Sequence, residues 1–165
     1  MVTRDVPADH LAMIAALRDR AAIADLVAGL AQAQDDKDWN GFPKLFAEHV
    51  TLDISRRSGE PAELLTADEM TAKARAVLDG FACTHHATSN LLIEASGDTA
   101  TCRAHVVAYH QVPTTGVDFC VMRGYWGIGL AKIQGRWAIN RWTIVRTAPW
   151  EGDPDVYRVA AERSR

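Results

Sequence analysis

The sequence predicts an α+β fold in which three N-terminal helices pack on one face of a curved, mainly antiparallel sheet. Up to about residue 80, apolar residues recur at helical spacing. From Phe81 to Arg146, β-branched and aromatic residues predominate, interrupted by the hairpin turn signals Ser96-Gly97-Asp98, Pro113–Gly116 and Gln134-Gly135. Helices followed by a strand meander give the α+β layout. Length supplies the third observation: 165 residues with 48% hydrophobic and 24% charged side chains suit one core better than two. Residues 1–165 therefore read as one domain, with helices over 8–80, sheet over 81–147 and a tail over 148–165.

The first helix shows from Leu11 onward, most clearly in Ile23, Leu26, Val27, Leu30 and Ala31, which share one face. Continued by three and four, that face reaches Gln34 and Asp35. Asp38 or Asn40 can cap a short second helix through Phe46, and a strand follows near Val50–Ile54. Arg56–Pro61 has loop composition. Thr66-Ala67-Asp68-Glu69 has capping-box spacing and starts a third helix that stops near Gly80. Four long strands are expected at Cys83–Ala95, Thr99–Val112, Asp118–Ile133 and Trp137–Arg146. After Pro154, the stretch with Val156, Tyr157 and Val159 either docks as a short helix over a pocket mouth or frays.

Net charge is −3, pI is near 6.0, and the basic residues are scattered, so no footprint for nucleic acid is visible. Cys83, Cys102 and Cys120 are odd in number and lack metal-type spacing, which suits a reducing compartment. Met1–His10 has no apolar core of a leader, and no apolar run reaches membrane-spanning length. A cytoplasmic protein without a membrane partner is expected.

Strand alternation indicates what lines the concave face. On the second long strand Cys102, Ala104, Val106, Ala108 and His110 share the apolar side. The third contributes Met122, Trp126, Ile128 and Leu130, and the last Trp142, Ile144 and Arg146. The opposite parity carries His105, Tyr109, Tyr125 and Trp137, aromatics whose exposure predicts a homo-oligomer, dimer or trimer, built on the convex face.

Asp35 has two readings, a core-facing carboxylate in need of a partner or a solvated helix end. In Thr84-His85-His86-Ala87-Thr88-Ser89-Asn90, either His86 and Asn90 face inward or His85 does, because a one-residue register change exchanges the faces. His110 sits in an apolar wall and can take or give a proton near neutral pH, or simply close the strand end. Arg146 is an anion or carbonyl anchor or a solvated strand end. No His-x-x-x-His lies on a helix and no paired cysteine motif is present, neighbouring His85 and His86 point oppositely on a strand, and neither a phosphate-binding glycine loop nor a nucleophile elbow occurs. No metal or cofactor is expected.

Several stretches carry a family resemblance. Arg20-Ala21-Ala22-Ile23-Ala24-Asp25-Leu26 through Asp35, the helix end Asp35-Asp36-Lys37-Asp38-Trp39, and Thr84-His85-His86 ahead of Asn90 are three of them. The others are Gly97-Asp98 through Tyr109-His110-Gln111 and the closing hairpin Lys132-Ile133-Gln134-Gly135-Arg136-Trp137. Together, over about residues 11–160, they resemble the SnoaL-like branch of the nuclear transport factor 2-like superfamily, which includes scytalone dehydratase and hexachlorocyclohexane dehydrochlorinase. The resemblance implies a cone-shaped α+β barrel. It places Asp35 and His86, rather than His85, on the family's catalytic pair and His110 on a second active-site histidine. It further implies a cofactor-independent, dehydratase-like lyase acting on a small hydrophobic cyclic or β-hydroxycarbonyl compound. Asn90, Val106, Met122, Trp126, Trp142, Ile144 and Arg146 would contact the substrate, with Asn90 or Arg146 steadying oxygen charge. The alternatives are an isomerase or polyketide-type cyclase with the same pair, or a non-catalytic binding or dimerisation module.

Overall fold

The computed structural model describes residues 8–116 and 118–163. Helix α1 (Ala8–Asp35) leads through a 3-10 turn (Phe42–Leu45) into β1 (Phe46–Asp53). A single helical turn, α2 (Ser55–Ser58), and strand β2 (Glu63–Thr66) precede α3 (Ala67–Leu78). The long strands are β3 (Cys83–Ser96), β4 (Thr99–Gln111), β5 (Phe119–Ile133) and β6 (Arg136–Arg146). A two-residue strand β7 (Glu151–Gly152) and helix α4 (Val156–Arg163) close the chain.

All strands join one curved sheet in the order β2-β1-β6-β5-β4-β3, with β7 added against β5. Pairing is antiparallel except between β1 and β6, so the sheet is mixed, and it is open, with β2 and β3 as outer strands. The core fills its concave side. Ile23, Val27 and Leu30 from α1 and Met70 from α3 meet Ala104, Val106, Trp126 and Ile139 of the sheet.

The expected helical face of α1 is real only from Ile23 onward. Leu11, Ile14 and Leu17 are exposed. Asp19 ties the helix to the β5–β6 hairpin, accepting from Trp137 Nε1 at 2.9 Å and from Lys132 Nζ at 2.8 Å. This corrects the expectation for Trp137. It is buried beneath α1 and not displayed on the convex face, because the register shift at Gly129/Leu130 changes the parity of β6 on either side of Asn140.

The second helix predicted through Phe46 is only the 3-10 turn. Its N-cap, Gly41, has no side-chain cap, its own N–H donating to Asp38 Oδ1 at 2.8 Å, and at Phe46 the backbone is already extended and begins β1. Within the expected loop and capping segment, β2 pairs with β1, from His49 opposite Thr66 to Leu52 opposite Glu63. The capping box of α3 forms as read: Thr66 Oγ1 accepts from the Glu69 N–H, and the Glu69 carboxylate from the Thr66 N–H.

The tail docks. Gly152 has φ +78°, and a Cβ there would stand 2.2 Å from the Phe119 carbonyl oxygen, so glycine lets β7 pair with β5. From that anchor α4 runs back over the domain and buries Val156 and Ala160 against Phe81, Leu78 and Val112.

Candidate active site

Asp35 is the last residue of α1, where a carboxylate meets the negative end of the helix dipole and depends on donors from elsewhere. Strand β3 supplies them. As an outer strand it pairs only with β4, which leaves alternate backbone N–H groups free of strand partners. The N–H of His86 donates to Asp35 Oδ2 at 2.8 Å, and the Thr84 hydroxyl donates to Oδ1 at 3.0 Å. His86 Nδ1 lies 2.6 Å from the same Oδ1. Thr84 and His86 point inward and are buried, whereas the intervening His85 points out, its Nδ1 3.9 Å from Oδ2 and its side chain 71% exposed. In this structure Asp35 faces the domain, and the ring that it meets is that of His86.

Burial pushes the Asp35 carboxyl up. The His86 ring and backbone N–H, the ring's charge and the Thr84 hydroxyl outweigh that effect together, holding the group below the usual carboxylate value. An ionised Asp35 only accepts, so Nδ1 of His86 carries a proton. In the neutral ring the lone pair is then on Nε2.

His110, on β4 opposite Thr84, is also buried, with its ring centroid 5.1 Å from that of His86 and nearly perpendicular to it. Its Nδ1 lies 3.3 Å from the Tyr157 hydroxyl, and Phe81 packs on it at 4.8 Å. Both histidines border a cavity of about 120 Å³ whose walls include Met122, Trp126, Trp142 and Ile144. The expected apolar lining is therefore present on β5 and β6.

Three expected contacts fall elsewhere. Asn90 sits at the bulge between Ser89 and Leu92 with φ 52° and is turned outward, its Nδ2 3.2 Å from His105 Nδ1. An extra residue at that point breaks the alternation that would have placed it inside. Arg146 is exposed at the end of β6, donating to the Ala148 carbonyl and lying over the Trp150 ring. Val106 does face inward, but it is spent on the core and does not border the cavity.

Other lining residues were not anticipated. Met70, Lys73, Ala74 and Val77 come from one face of α3, and their spacing of three and four could have shown it. Lys73 is held by Glu63 at 2.8 Å. Gln34, beside the aspartate, donates to the Leu30 carbonyl, and Tyr157 reaches in from α4. The docked tail was one of two sequence readings, but the contact of Tyr157 with His110 was not among them. Among the described residues no three His, Cys, Asp or Glu side chains are grouped as metal ligands would be, and no helix is long and apolar enough to cross a membrane.

The fold has many solved counterparts. A Kribbella flavida protein, Kfla4162, superposes with a TM-score of 0.79 at 25% identity, covering 88% of this chain and 98% of its own. A candidate scytalone dehydratase from Novosphingobium aromaticivorans gives 0.71 at 19%, covering 83% and 89%. A type 2 hexachlorocyclohexane dehydrochlorinase gives 0.72 at 17%, covering 82% and 89%. No curated protein matches by sequence. The SnoaL-like domain family matches residues 15–143, most of the sheet and the whole Asp35–His86 pair included. The chain belongs to the SnoaL-like family.

Proposed function

We propose that this protein is a cofactor-independent lyase of the dehydratase kind, acting on a small hydrophobic cyclic or β-hydroxycarbonyl compound. The observation that carries the reading is the 2.6 Å contact between Asp35 and a His86 ring that borders an apolar cavity. In such a site His86 Nε2 takes the proton α to a carbonyl, and Asp35 fixes the ring's tautomer and steadies the imidazolium that forms. His110, edge-on to His86, gives a proton to the leaving hydroxyl. One C–H and one C–O bond break, a C=C bond forms, and water departs. The cavity suits a ligand of about one ring, by comparison with the roughly 150 Å³ that holds benzene.

The family likeness supports a lyase or isomerase class, and the named neighbours include a dehydrochlorinase and a candidate dehydratase. The test is a panel of neutral β-hydroxy ketones of one ring, followed by mass spectrometry. A product lighter by one water supports the reading. A product of unchanged mass moves the assignment to an isomerase or cyclase, and turnover that persists in His86→Ala overturns the role given to the pair.

A further inference from the structure

We propose that the side-chain oxygen of Gln34 anchors a hydroxyl of the ligand, so that the site selects ring alcohols over compounds of the same shape that have no hydrogen to donate. This proposal rests on the same cavity as the lyase reading and names the ligand class that it accepts.

Gln34 is polar where the periodicity of α1 calls for an apolar residue. It follows Leu30 by four and Ala31 by three on the core face, is only 4% exposed, and lines the cavity together with Leu52, Ile54 and Met70. Its Nε2 donates to the Leu30 carbonyl at 2.9 Å, which fixes the amide, because the opposite orientation would set two acceptor oxygens face to face. Oε1 takes no hydrogen bond from the described residues. It is not sealed in the core either, since among the described residues Trp142 Nε1 alone is both closed off and unbonded. For a residue this buried on the cavity wall, the opening at Oε1 is the cavity.

The fold itself gives the amide little to do. In a helix that runs to Asp35 the Leu30 carbonyl is the regular acceptor for the Gln34 backbone N–H, so Nε2 adds a second bond to an oxygen already served. An apolar side chain of the same length would leave no buried group unpaired. What the glutamine adds is an acceptor facing the ligand space. The other polar side chains there are engaged: Lys73 with Glu63, His86 with Asp35, and His110 with Tyr157 at 3.3 Å. An open acceptor calls for a donor from the ligand. A hydroxyl brings one without charge, whereas an ammonium would bring a charge that Asp35, already holding three donors, does not meet. A hydroxyl held through its hydrogen also keeps its oxygen lone pairs for a proton donor, as the departure of water requires.

Three one-ring probes test the proposal: cyclohexanol, fluorocyclohexane, which carries fluorine in place of the hydroxyl, and cyclohexanone, which only accepts. They are titrated into the ¹⁵N-labelled protein and into Gln34→Met, which keeps the length of the side chain and loses the amide. The Gln34 side-chain NH₂ resonances are identified by their disappearance in the variant. Cyclohexanol is expected to move them in the wild type and to bind Gln34→Met about tenfold more weakly, the loss of one neutral hydrogen bond. Fluorocyclohexane and cyclohexanone should bind both proteins alike. The ligand-free variant should melt at or above the wild-type temperature, which a glutamine needed by the fold would not allow. Unmoved NH₂ resonances at saturating cyclohexanol, equal cyclohexanol affinity in the variant, an equal loss for either other probe, a variant that melts well below wild type, or no cyclohexanol binding at millimolar concentration each overturns the proposal. With 3-hydroxycyclohexanone as substrate the two readings separate. Hydroxyl anchoring without any dehydration would leave Gln34 in place and refute the lyase. Dehydration with kcat/KM unchanged in Gln34→Met would do the reverse.

Discussion

Replacing Asp35 by asparagine keeps the size of the side chain and exchanges one acceptor for a donor, and the geometry says which contact gives way. Of the three donors that converge on the carboxylate, the His86 backbone N–H cannot change its role, and the Thr84 hydroxyl can rotate. The His86 ring can move its proton. The amide oxygen should therefore turn to the backbone N–H, and its NH₂ group to Nδ1, which must then accept. The ring proton shifts to Nε2 and the base loses its lone pair. Loss of positioned acid–base function is worth on the order of 10²–10⁴ in kcat, and a wrongly held tautomer lies at the upper end of that range.

Stability should respond differently. Asp35 has a lowered folded pKa, so its contribution is present in full above the unfolded value of about 3.9 and is lost as the pH falls through the folded value. The difference in stability between wild type and Asp35→Asn should thus be at most about 1.5–3 kcal/mol at neutral pH, the worth of a hydrogen bond to a charged group. It should close below about pH 4. Turnover and thermal melting measured on the same samples across pH separate the two effects. An Asp35→Asn protein that is folded at neutral pH and retains kcat within tenfold of wild type would refute the tautomer argument.

Further outcomes are expected. The double variant His86→Ala/Asp35→Asn should be scarcely slower than either single variant in steady-state assays, because paired residues act as a unit. Gly152→Ala, which puts a Cβ 2.2 Å from the Phe119 carbonyl at φ +78°, should release β7 and with it α4. Its cost of about 1–3 kcal/mol should appear in melting and as faster proteolysis of the tail. Light scattering should report a dimer or trimer, with the convex face around His105 and Tyr125 as the contact, and a monomer at micromolar concentration contradicts that. Denaturant unfolding should be a single transition if residues 1–165 form one cooperative unit.

Much of the site was legible because it lies where periodicity is regular. Asp35 falls on the core face of α1 by simple continuation from Ile23, and β4 alternates without interruption from Ala100 to His110. Choosing His86 over its neighbour needed the family resemblance, since parity alone gave both. Reading failed at irregularities. The extra residue near Asn90 and the shift at Asn140 each exchange the faces of a strand; an asparagine stands at each and Gly129 beside the second, but a lone asparagine or glycine within a strand does not fix a change of register. Strand β2 was hidden because four residues carry too little alternation. Tyr157 depends on a tail path set by Gly152, a tertiary fact with no local signal.

The most direct measurement of the central claim is hydrogen exchange into a bound ketone, since it asks only whether the Asp35–His86 pair removes an α-proton. Cyclohexanone is incubated with the protein in deuterium oxide, and its mass is followed against a protein-free control. Deuterium should enter the α positions faster with wild type, and that acceleration should vanish in His86→Ala and in Asp35→Asn. Exchange no faster than the control, or equally fast in His86→Ala, would contradict the account.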